Sequence, residues 1–377
     1  MPDCQKAQGR ARAFSPATNL SRALCALLAL CLLASTSLAE EEGLVAFQEE
    51  INGVRFHAMV DASITEAPVI EGAFWDPASG HEALAQNLGA YFGVPAALER
   101  EDAQYGNYGY ALGDGLSLVV QGSANQTLYV KDSPYTDWLF ASNRGHFGEE
   151  DFQFASREEA ARRVDELIRA MGLGLQMQCS GAYSVNGAQY IARVEEETGN
   201  YASLGKDFAG RALPGVEAGD EIAYVLTFEQ VVNGLPLSAS CFIRNGRAHW
   251  SSLCTEAVLS PAGVERLTLF SPYMPKSAGE PQALISYRAA ALSLANSEDV
   301  RSSLERDGEG EFSRVRLCYM AEVRENDAAH VRLLPIWEFQ GVFTGETGHY
   351  QITCLVSALS GEVIDSPNSE VLLRERE

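Results

Sequence analysis

Alternating apolar and polar residues predict β-strands along much of this chain, and Asn-Gly dipeptides predict several of the turns between them. Asn-Gly between two alternating segments is the strongest short-range signal of a β-hairpin. The flanking segments alternate clearly around the first and the last pair, whereas the second pair lacks such flanks. The four pairs lie at 52–53, 186–187, 233–234 and 245–246.

Longer alternating segments predict an antiparallel set of strands in the second half of the chain. In 311–325 every second residue from Val315 to Val323 is apolar, and four of the seven positions that alternate with this face, from 312 to 324, are charged. This pattern is typical of a sheet with one packed and one solvated face, covered by a helix on a single side. The predicted strands are 222–232, 311–325, 333–340 and 350–359.

Helical periodicity is confined to a few separate segments. Ser79 and Ser156 are each followed by Glu three residues later, which is the capping-box pattern of a helix N-terminus. Gly93 and Gly172 follow the last helical positions of these two segments, as expected of C-terminal caps. The predicted helices begin at Ser79, at Ser156, near Ala188 and at Glu280 or Pro281, and the last one ends at Asn296.

The order of these elements repeats, and the repeat predicts the fold class. The helices near 157–171 and 281–296 are each followed by three predicted strands. We therefore predict an α+β protein with paired helix-plus-antiparallel-sheet units behind an N-terminal β-rich segment. The predicted boundaries are 1–39 for a signal peptide, 40–150 for the N-terminal segment, 151–275 for the first unit and 276–377 for the second.

The N-terminal region has the features of a secretory signal peptide. The apolar run from Ala23 to Ala34 follows four basic residues and is shorter than the roughly 20 residues of a membrane-spanning helix. Small residues occupy the two positions that a signal peptidase reads, Ser37 and Ala39. We expect cleavage after Ala39 and a secreted or extracytoplasmic protein. The alternative is an uncleaved leader that anchors the protein to a membrane.

The acidity of the chain excludes one class of partner. The formal net charge is −23, and the predicted leader is itself net positive, so the remainder is more acidic still. Such a surface repels nucleic acids, anionic wall polymers and anionic lipid headgroups. No nucleic-acid partner is therefore expected, and the ordinary role of this charge is solubility.

Five cysteines follow the leader, too few for a disulfide scaffold and odd in number. None has Cys-x-x-Cys spacing, so each is expected to be a small buried side chain. A turn at 245–246 would place Cys241 opposite Trp250, which argues against a bridge from Cys241 to Cys254. The five are Cys179, Cys241, Cys254, Cys318 and Cys354.

Sequence patterns of enzymes are weak in this chain. Ser203 and Lys206 satisfy Ser-x-x-Lys, the nucleophile pair of penicillin-recognising enzymes, but the accompanying Lys-Thr-Gly is absent. Neither a Gly-x-Ser-x-Gly elbow nor a phosphate-binding loop occurs. We therefore predict no catalytic residue and no cofactor.

One cluster contains candidate metal ligands. His146 is followed by Glu149, Glu150 and Asp151. A divalent cation is one interpretation, although the spacing of a calcium-binding loop is missing. The other is a solvated acidic loop, because acids just before a helix interact favourably with its dipole. We predict no metal ligand.

The aromatic and glycine-rich segment at 105–110 also allows two interpretations. It contains three tyrosines separated by small or polar residues. Such a segment could form a stacking surface for a sugar or a peptide. It could equally form a β-turn that enters a strand at 116–121.

Two segments resemble a known module. Leu-Pro-Ile-Trp-Glu-Phe at 334–339 and the run at 350–364 look like the closing strands of PepSY-type modules, and 224–236 resembles an earlier strand pair of the same modules. The whole chain is similar to exported PepSY-like proteins of unknown function from Gram-positive anaerobes. It is also distantly similar to YycH/YycI-type extracytoplasmic regulators.

This resemblance implies a PepSY/cystatin-like fold and a role in binding, inhibition or regulation outside the membrane. It assigns Trp337 to packing, Pro335 to a strand edge and Gly361 to a turn, and it brings no catalytic residue. YycH/YycI-type proteins keep a membrane anchor, whereas this leader has a cleavage site. Direct contact with a membrane-embedded kinase is therefore not implied.

From these observations we expect a non-catalytic exported protein. It would bind a peptide, a protein or a cell-envelope component, in a regulatory or inhibitory role. An added strand at an exposed sheet edge is the expected mode of binding, with Pro236 and Pro335 as markers of such edges. Two alternatives are an exported hydrolase that uses Ser203 or the His146 cluster, and a structural or sporulation-associated envelope protein.

Overall fold

The structure is a computed structural model. It describes residues 43–113, 115–122, 126–131, 138–198, 215–243, 247–249, 255–298, 300–302, 309–324, 327–345, 348–364 and 369–373. The predicted cleavage site at Ala39, the Ser203–Lys206 pair, the turn at 245–246 and Cys254 lie outside these residues. Within them, no helix has both the length and the apolar character that a membrane span requires.

Most of the described chain is β-structure. The first strands are β1 (Leu44–Ile51), β2 (Val54–Asp61), β3 (Glu66–Ala67), β4 (Ile70–Phe74), β5 (Ala97–Asp102), β6 (Asn107–Ala111), β7 (Leu116–Gln121), β8 (Gln126–Lys131), β9 (Met177–Asn186) and β10 (Glu221–Val232). The others are β11 (Leu235–Ile243), β12 (Arg247–His249), β13 (Thr255–Ser260), β14 (Gly263–Phe270), β15 (Tyr273–Ala278), β16 (Gln282–Ala283), β17 (Glu309–Arg324), β18 (Asp327–Gly345), β19 (Gly348–Ser357), β20 (Val363–Ile364) and β21 (Ser369–Leu373).

Four α-helices of nine or more residues accompany these strands in the described ranges. They are α1 (Pro77–Phe92), α2 (Arg157–Ala170), α3 (Gly187–Thr198) and α4 (Tyr287–Ala295). The cap of α2 is confirmed, because the side chain of Ser156 accepts a hydrogen bond from the backbone of Glu159. The predicted start of α1 at Ser79 was wrong, since Asp76 caps the helix and proline occupies its first turn, a favoured combination.

The predicted start of α4 was also wrong. Gln282 pairs with Ala67 in the small sheet of β3 and β16, so the chain is still extended at this point. The helix begins after Ser286, whose side chain accepts a hydrogen bond from the backbone of Ala289. A strand pairing that joins residues far apart in sequence thus overrides a local helical pattern.

Two of the predicted hairpins are confirmed. Asn52 and Gly53 have positive φ angles of 52° and 83° and join β1 to β2. Asn233 and Gly234, at 49° and 81°, join β10 to β11 in the same way. Positive φ at both central residues is the requirement of a type I′ turn, which explains the Asn-Gly sequence.

The Asn-Gly pair at 186–187 does not join two strands, and the pair at 245–246 lies outside the described residues. Asn186 ends β9, and its side chain accepts a hydrogen bond from the backbone of Gln189 at the start of α3. At the last pair, Cys241 of β11 lies opposite His249 of β12. The expected partner, Trp250, was therefore wrong by one position, because the paired strands are separated by three residues rather than two.

The strands form two large sheets that share the β10–β11 hairpin. Sheet I is antiparallel in the order β5–β6–β7–β8–β14–β13–β10–β9. Helices α1 and α2 pack on one face of it, and α3 packs on the other. This sheet is therefore covered by helices on both faces.

Sheet II is centred on the long hairpin of β17 and β18. Its central strands lie in the order β1–β2–β17–β18–β19. Strand β11 pairs in parallel with the far half of β17, and β4 pairs with part of β18 and carries β15. Helix α4 packs on one face, over the predicted apolar face from Val315 to Val323.

The N-terminal strands are divided between these sheets. Strands β1, β2 and β4 belong to sheet II, whereas β5 to β8 belong to sheet I. The protein is α+β, as predicted. The boundaries at residues 150 and 275 remain predictions.

The alternation predicted that the face of sheet II opposite α4 would be solvated. This prediction was wrong for part of the face. Cys318, Met320, Ile336 and Leu355 form a second small buried cluster there, and Ile364 packs against it. Ile364 belongs to β20 and lies opposite Leu355 of β19, so this short strand contributes to the cluster.

Candidate functional site

Strand β1 lies at an edge of sheet II. It pairs with β2 along its full length, from Leu44 opposite Asp61 to Ile51 opposite Val54, and β2 is its partner in the part of the chain that the structure describes. An edge strand presents backbone N–H and C=O groups that can pair with another extended chain. The side chains around β1 therefore decide what it can bind.

The hairpin geometry identifies the backbone groups that face outward. In a two-residue hairpin the pair beside the turn exchanges both hydrogen bonds, and every second pair after it does the same. The bond from the Ala62 N–H to the Gly43 carbonyl, 2.9 Å long, keeps this alternation at the far end. The N–H and C=O groups that point away from β2 therefore belong to Leu44, Ala46, Gln48 and Glu50.

One face of β1 is held against the core. The buried ring of Phe47 stacks on Phe56, with ring centroids 5.1 Å apart, and meets Tyr287 of α4 edge-on at 5.0 Å. Arg288 of α4 also forms an ion pair with Glu49. Because α4 supports β1 from this side, the edge is pre-organised. We call the opposite face of the β1–β2 hairpin the outer face.

The end of this edge away from the turn is apolar. Leu44, Val45 and Met59 have exposed fractions of 38, 42 and 58%. Ala46 lies opposite Met59, so both belong to the outer face together with Leu44. Natural edge strands are usually protected by charges or proline. Here exposed apolar side chains lie beside backbone groups that have no partner strand among the described residues, which is a feature of interaction surfaces.

The end of the outer face beside the turn is acidic. Glu50 is exposed and lies opposite Arg55. The Arg55 guanidinium extends toward β17, where it bonds to Glu309 at 2.7 Å and lies 3.8 Å from Glu311. Carboxylates therefore outnumber cations at this end.

Two other edges are less suited to strand addition. In β5 a bulge between Leu98 and Arg100 interrupts the pairing, and charged residues cover the strand. The edge of β9 is partly covered by a bridge between Gly148 and Ser184. Bulges and covering segments are the usual protection of natural edges.

Pro236 and Pro335 were both expected to mark exposed strand edges, and for Pro335 this was wrong. Pro335 was expected at an edge, but it is buried inside β18, opposite Tyr319, and its carbonyl accepts a hydrogen bond from Ala358. It lies where the pairing with β4 ends and the pairing with β19 begins, so its missing N–H breaks no ladder. Pro236 lies opposite Val231, beside the β10–β11 turn.

The His146 cluster forms no metal site. His146 is exposed, and Asp151 accepts a hydrogen bond from the backbone of Arg157 at the start of α2. The Arg157 guanidinium lies 3.6 Å from Glu149. Among the described residues no group of three or more His, Cys, Asp or Glu side chains could hold a metal ion. The acidic residues form the loop that leads into the helix.

The tyrosines at 105–110 are divided between surface and core. Tyr105 is exposed in the turn before β6, but Tyr108 and Tyr110 are buried. Nδ1 of His81 lies 2.6 Å from the Tyr110 hydroxyl, and the His81 ring stacks on Tyr108. Burial, followed by the charge of nearby Glu82, raises the pKa of Tyr110. No pattern in the sequence indicated that His81 would lie against these two tyrosines.

A buried ionic cluster joins the two sheets. Arg316 of β17 donates to Glu338 at 2.7 Å and to Glu229 of β10 at 2.6 Å. The Ser238 hydroxyl and the Gln340 amide also donate to Glu338. Burial opposes the charge of Arg316, but the two carboxylates raise its pKa. Because each of its charged groups is bonded to another member of the cluster, this cluster is structural.

The structure contains a cavity of about 220 Å³ between the loop after α2, the end of β10 and the start of β15. Its lining includes Gln230, Tyr273 and Met274. The buried amide of Gln230 is already committed, since it donates to the Tyr273 carbonyl and accepts from the Tyr273 N–H. This cavity therefore offers a weaker site than the edge of β1.

We expect the cysteines to differ in reactivity. Cys318 is fully buried, and burial raises its pKa well above the ordinary value, so the reactive thiolate is suppressed. Cys179 is only partly buried, although burial raises its pKa too. When the native protein is alkylated, Cys179 should be modified at least about tenfold faster than Cys318. Mass spectrometry of the peptides that contain each cysteine measures the two rates. Equal rates would contradict the buried position of Cys318.

Comparisons with known proteins assign a fold and no activity. No family model and no curated protein matches the chain. An uncharacterized protein from Eubacterium rectale aligns with 87% of this chain and 95% of its own, at 14% identity and a TM-score of 0.55. The Bacillus megaterium YpeB C-terminal domain aligns with 79% of this chain and 100% of its own, at 11% identity, but its TM-score of 0.29 is too low to support an argument. The chain is thus similar in fold to the Eubacterium rectale protein.

Proposed function

We propose that this chain is an exported, non-catalytic PepSY-like protein that binds an extended segment of a partner at the cell envelope, by β-addition to β1. The observation that carries the proposal is that outward-facing backbone groups, a supporting helix and exposed apolar side chains occur together at one sheet edge. Four residues of β1 direct their backbone groups outward, α4 fixes the strand from behind, and Leu44 and Met59 are exposed beside it. The proposed export rests on the leader that ends at Ala39.

The energetics of strand addition agree with a regulatory binder. Each backbone hydrogen bond contributes a net ~0.5–1.5 kcal/mol, and burial of exposed apolar side chains such as Met59 adds to this. Ordering the incoming peptide and losing its free motion oppose both terms. We therefore expect reversible binding, with dissociation constants in roughly the micromolar range.

The substitution Ala46→Pro should weaken peptide capture without unfolding the hairpin. The N–H of Ala46 points away from β2, so proline removes a donor from the edge and none from the β1–β2 ladder. Peptides selected from a displayed library of random decapeptides should bind this variant at least about fivefold more weakly, the value of one lost hydrogen bond. Fluorescence anisotropy of the labelled peptides measures the change.

Two further variants complete this experiment. Ala46→Val keeps the edge N–H and favours a strand, so its affinity should match that of the unaltered protein. Met59→Ser leaves the backbone unchanged and should weaken binding through the lost apolar contact, which tests the same surface if the proline variant misfolds. Selected peptides that bind all three variants equally well would refute β-addition at β1, as would a library that yields no binding peptide.

A further inference from the structure

We infer that the segment captured by β1 is cationic at the end beside the β1–β2 turn and apolar at the end beside Leu44. This inference rests on the proposed function and specifies its partner. It follows from the separation of charged and apolar side chains along the outer face. The outer face of the hairpin carries Leu44, Ala46, Gln48, Glu50, Arg55, His57, Met59 and Asp61.

Glu50 is the residue of the acidic end that lies nearest to an added strand. A residue directly opposite it on that strand would have its Cβ about 4.5–5.5 Å away, where opposite charges attract and like charges repel. Arg55, on the other side of Glu50, is engaged by Glu309 and Glu311 on β17. The Glu50 charge therefore remains open to an incoming lysine or arginine.

The surrounding charges strengthen this preference. At the turn end of the outer face and the adjoining start of β17, Arg55 is the guanidinium among three carboxylates, Glu50, Glu309 and Glu311. Asp61 lies at the other end, opposite Leu44, where its carboxylate accepts hydrogen bonds from the backbone and the hydroxyl of Ser63. Charges within about 8–10 Å still interact at physiological salt, so Glu309 and Glu311 add to the field that a bound segment experiences.

The same charges disfavour a second copy of this chain as the occupant. In a full-length antiparallel pair of two β1 strands, Glu50 of each copy would lie opposite Leu44 of the other and would gain no opposite charge. Both copies also carry a formal charge of −23. Net charges of the same sign repel one another as the two copies approach. A basic extended segment satisfies the acidic end without this repulsion.

The opposite end of the surface requires apolar side chains. Leu44, Ala46 and Met59 are neighbours on the outer face, and Val45 is exposed on the other face of β1. Alternate residues of an added strand point to the same face. A segment with apolar residues over this end would therefore bury part of these side chains, while its basic residues lie near Glu50.

Three defined peptides test the inference. Each is an acetylated decapeptide with one half of alternating valine and threonine, and the other half carries two lysines, two glutamines or two glutamates. We expect the lysine peptide to bind about fivefold more tightly than the glutamine peptide at about 50 mM salt, and the glutamate peptide to bind most weakly. The differences should largely disappear at about 500 mM salt.

Substitutions locate the effect. Glu50→Gln should weaken binding of the lysine peptide about threefold and leave the glutamine peptide unchanged. The triple substitution of Glu50, Glu309 and Glu311 by glutamine should remove the charge preference. Glu99→Gln, which removes an exposed carboxylate from β5 on the other sheet, is the matched control and should have no effect.

The outcomes separate this inference from the function on which it rests. If all three peptides bind equally and Ala46→Pro weakens them all, the charge preference is wrong and β-addition stands. If none of the three peptides binds but peptides selected from the library do, the proposed charge pattern of the partner is likewise wrong and β-addition stands. If sedimentation shows a dimer that Ala46→Pro dissociates, a second copy occupies the edge, and the inference of a basic partner is overturned.

Discussion

Replacing Arg316 with methionine should lower the free energy of unfolding by about 3–5 kcal/mol, the usual cost of removing one partner from a buried ion pair. Glu338 and Glu229 have exposed side-chain fractions of 2 and 12%, so both carboxylates would be left largely desolvated without their cation. The Ser238 and Gln340 hydrogen bonds to Glu338 cannot replace a positive charge. Denaturant unfolding of the variant measures the loss.

Two controls identify charge as the cause. Removing all three charges together, with Glu229→Leu, Arg316→Met and Glu338→Leu, should recover most of the lost stability, because no buried charge remains. The deficit of the single variant should also be smaller at about pH 5 than at about pH 8, since an uncompensated carboxylate is relieved by taking up a proton. A single variant within about 1 kcal/mol of the unaltered protein would show that water reaches these carboxylates.

Local turn and cap chemistry was readable in the sequence. Asn52-Gly53 and Asn233-Gly234 predicted their hairpins because few residue pairs adopt positive φ at both central positions. Ser156 predicted the start of α2 because its hydroxyl satisfies a backbone donor three residues away. These features depend on residues close together in the chain.

Features that depend on distant residues could not be predicted. Strand β2 pairs in parallel with β17, where Val54 lies opposite Gly310. No pattern in the sequence of either strand indicates that it pairs with the other. The predicted charged face of β17 illustrates the consequence, because Arg316 alternates as a solvent-facing residue should. Its side chain is nevertheless only 14% exposed, and it pairs with Glu229 of β10 in the other sheet.

The candidate site was predictable only in part. The β1–β2 hairpin and its alternation followed from the sequence, and strand addition at an exposed edge was expected. The position of that edge was not, because β1 is an edge only through the topology of sheet II. Pro335 misled the prediction, since a proline also fits inside a sheet at a point where one neighbouring strand replaces another.

Replacing Trp337 with alanine should destabilise the protein by about 3–5 kcal/mol, the cost of truncating a large buried aromatic side chain. Trp337 is 2% exposed, and its indole packs edge-on against Tyr287 of α4. Its Nε1 donates a hydrogen bond of 2.9 Å to the Ile285 carbonyl, just before that helix. The substitution therefore removes both apolar contact and a bond that positions α4. Denaturant unfolding gives the loss of free energy.

Trp337→Phe separates the two contributions. Phenylalanine keeps most of the buried area but cannot donate to the Ile285 carbonyl, so we expect a smaller loss of about 1–2 kcal/mol. Because α4 also supports β1 through Tyr287 and Phe47, amide hydrogen exchange in β1 should accelerate more in the alanine variant. Equal losses in the two variants would show that the hydrogen bond, and not the packed ring, holds α4 on sheet II. Unchanged exchange in β1 would show that its edge is organised by the β1–β2 hairpin alone.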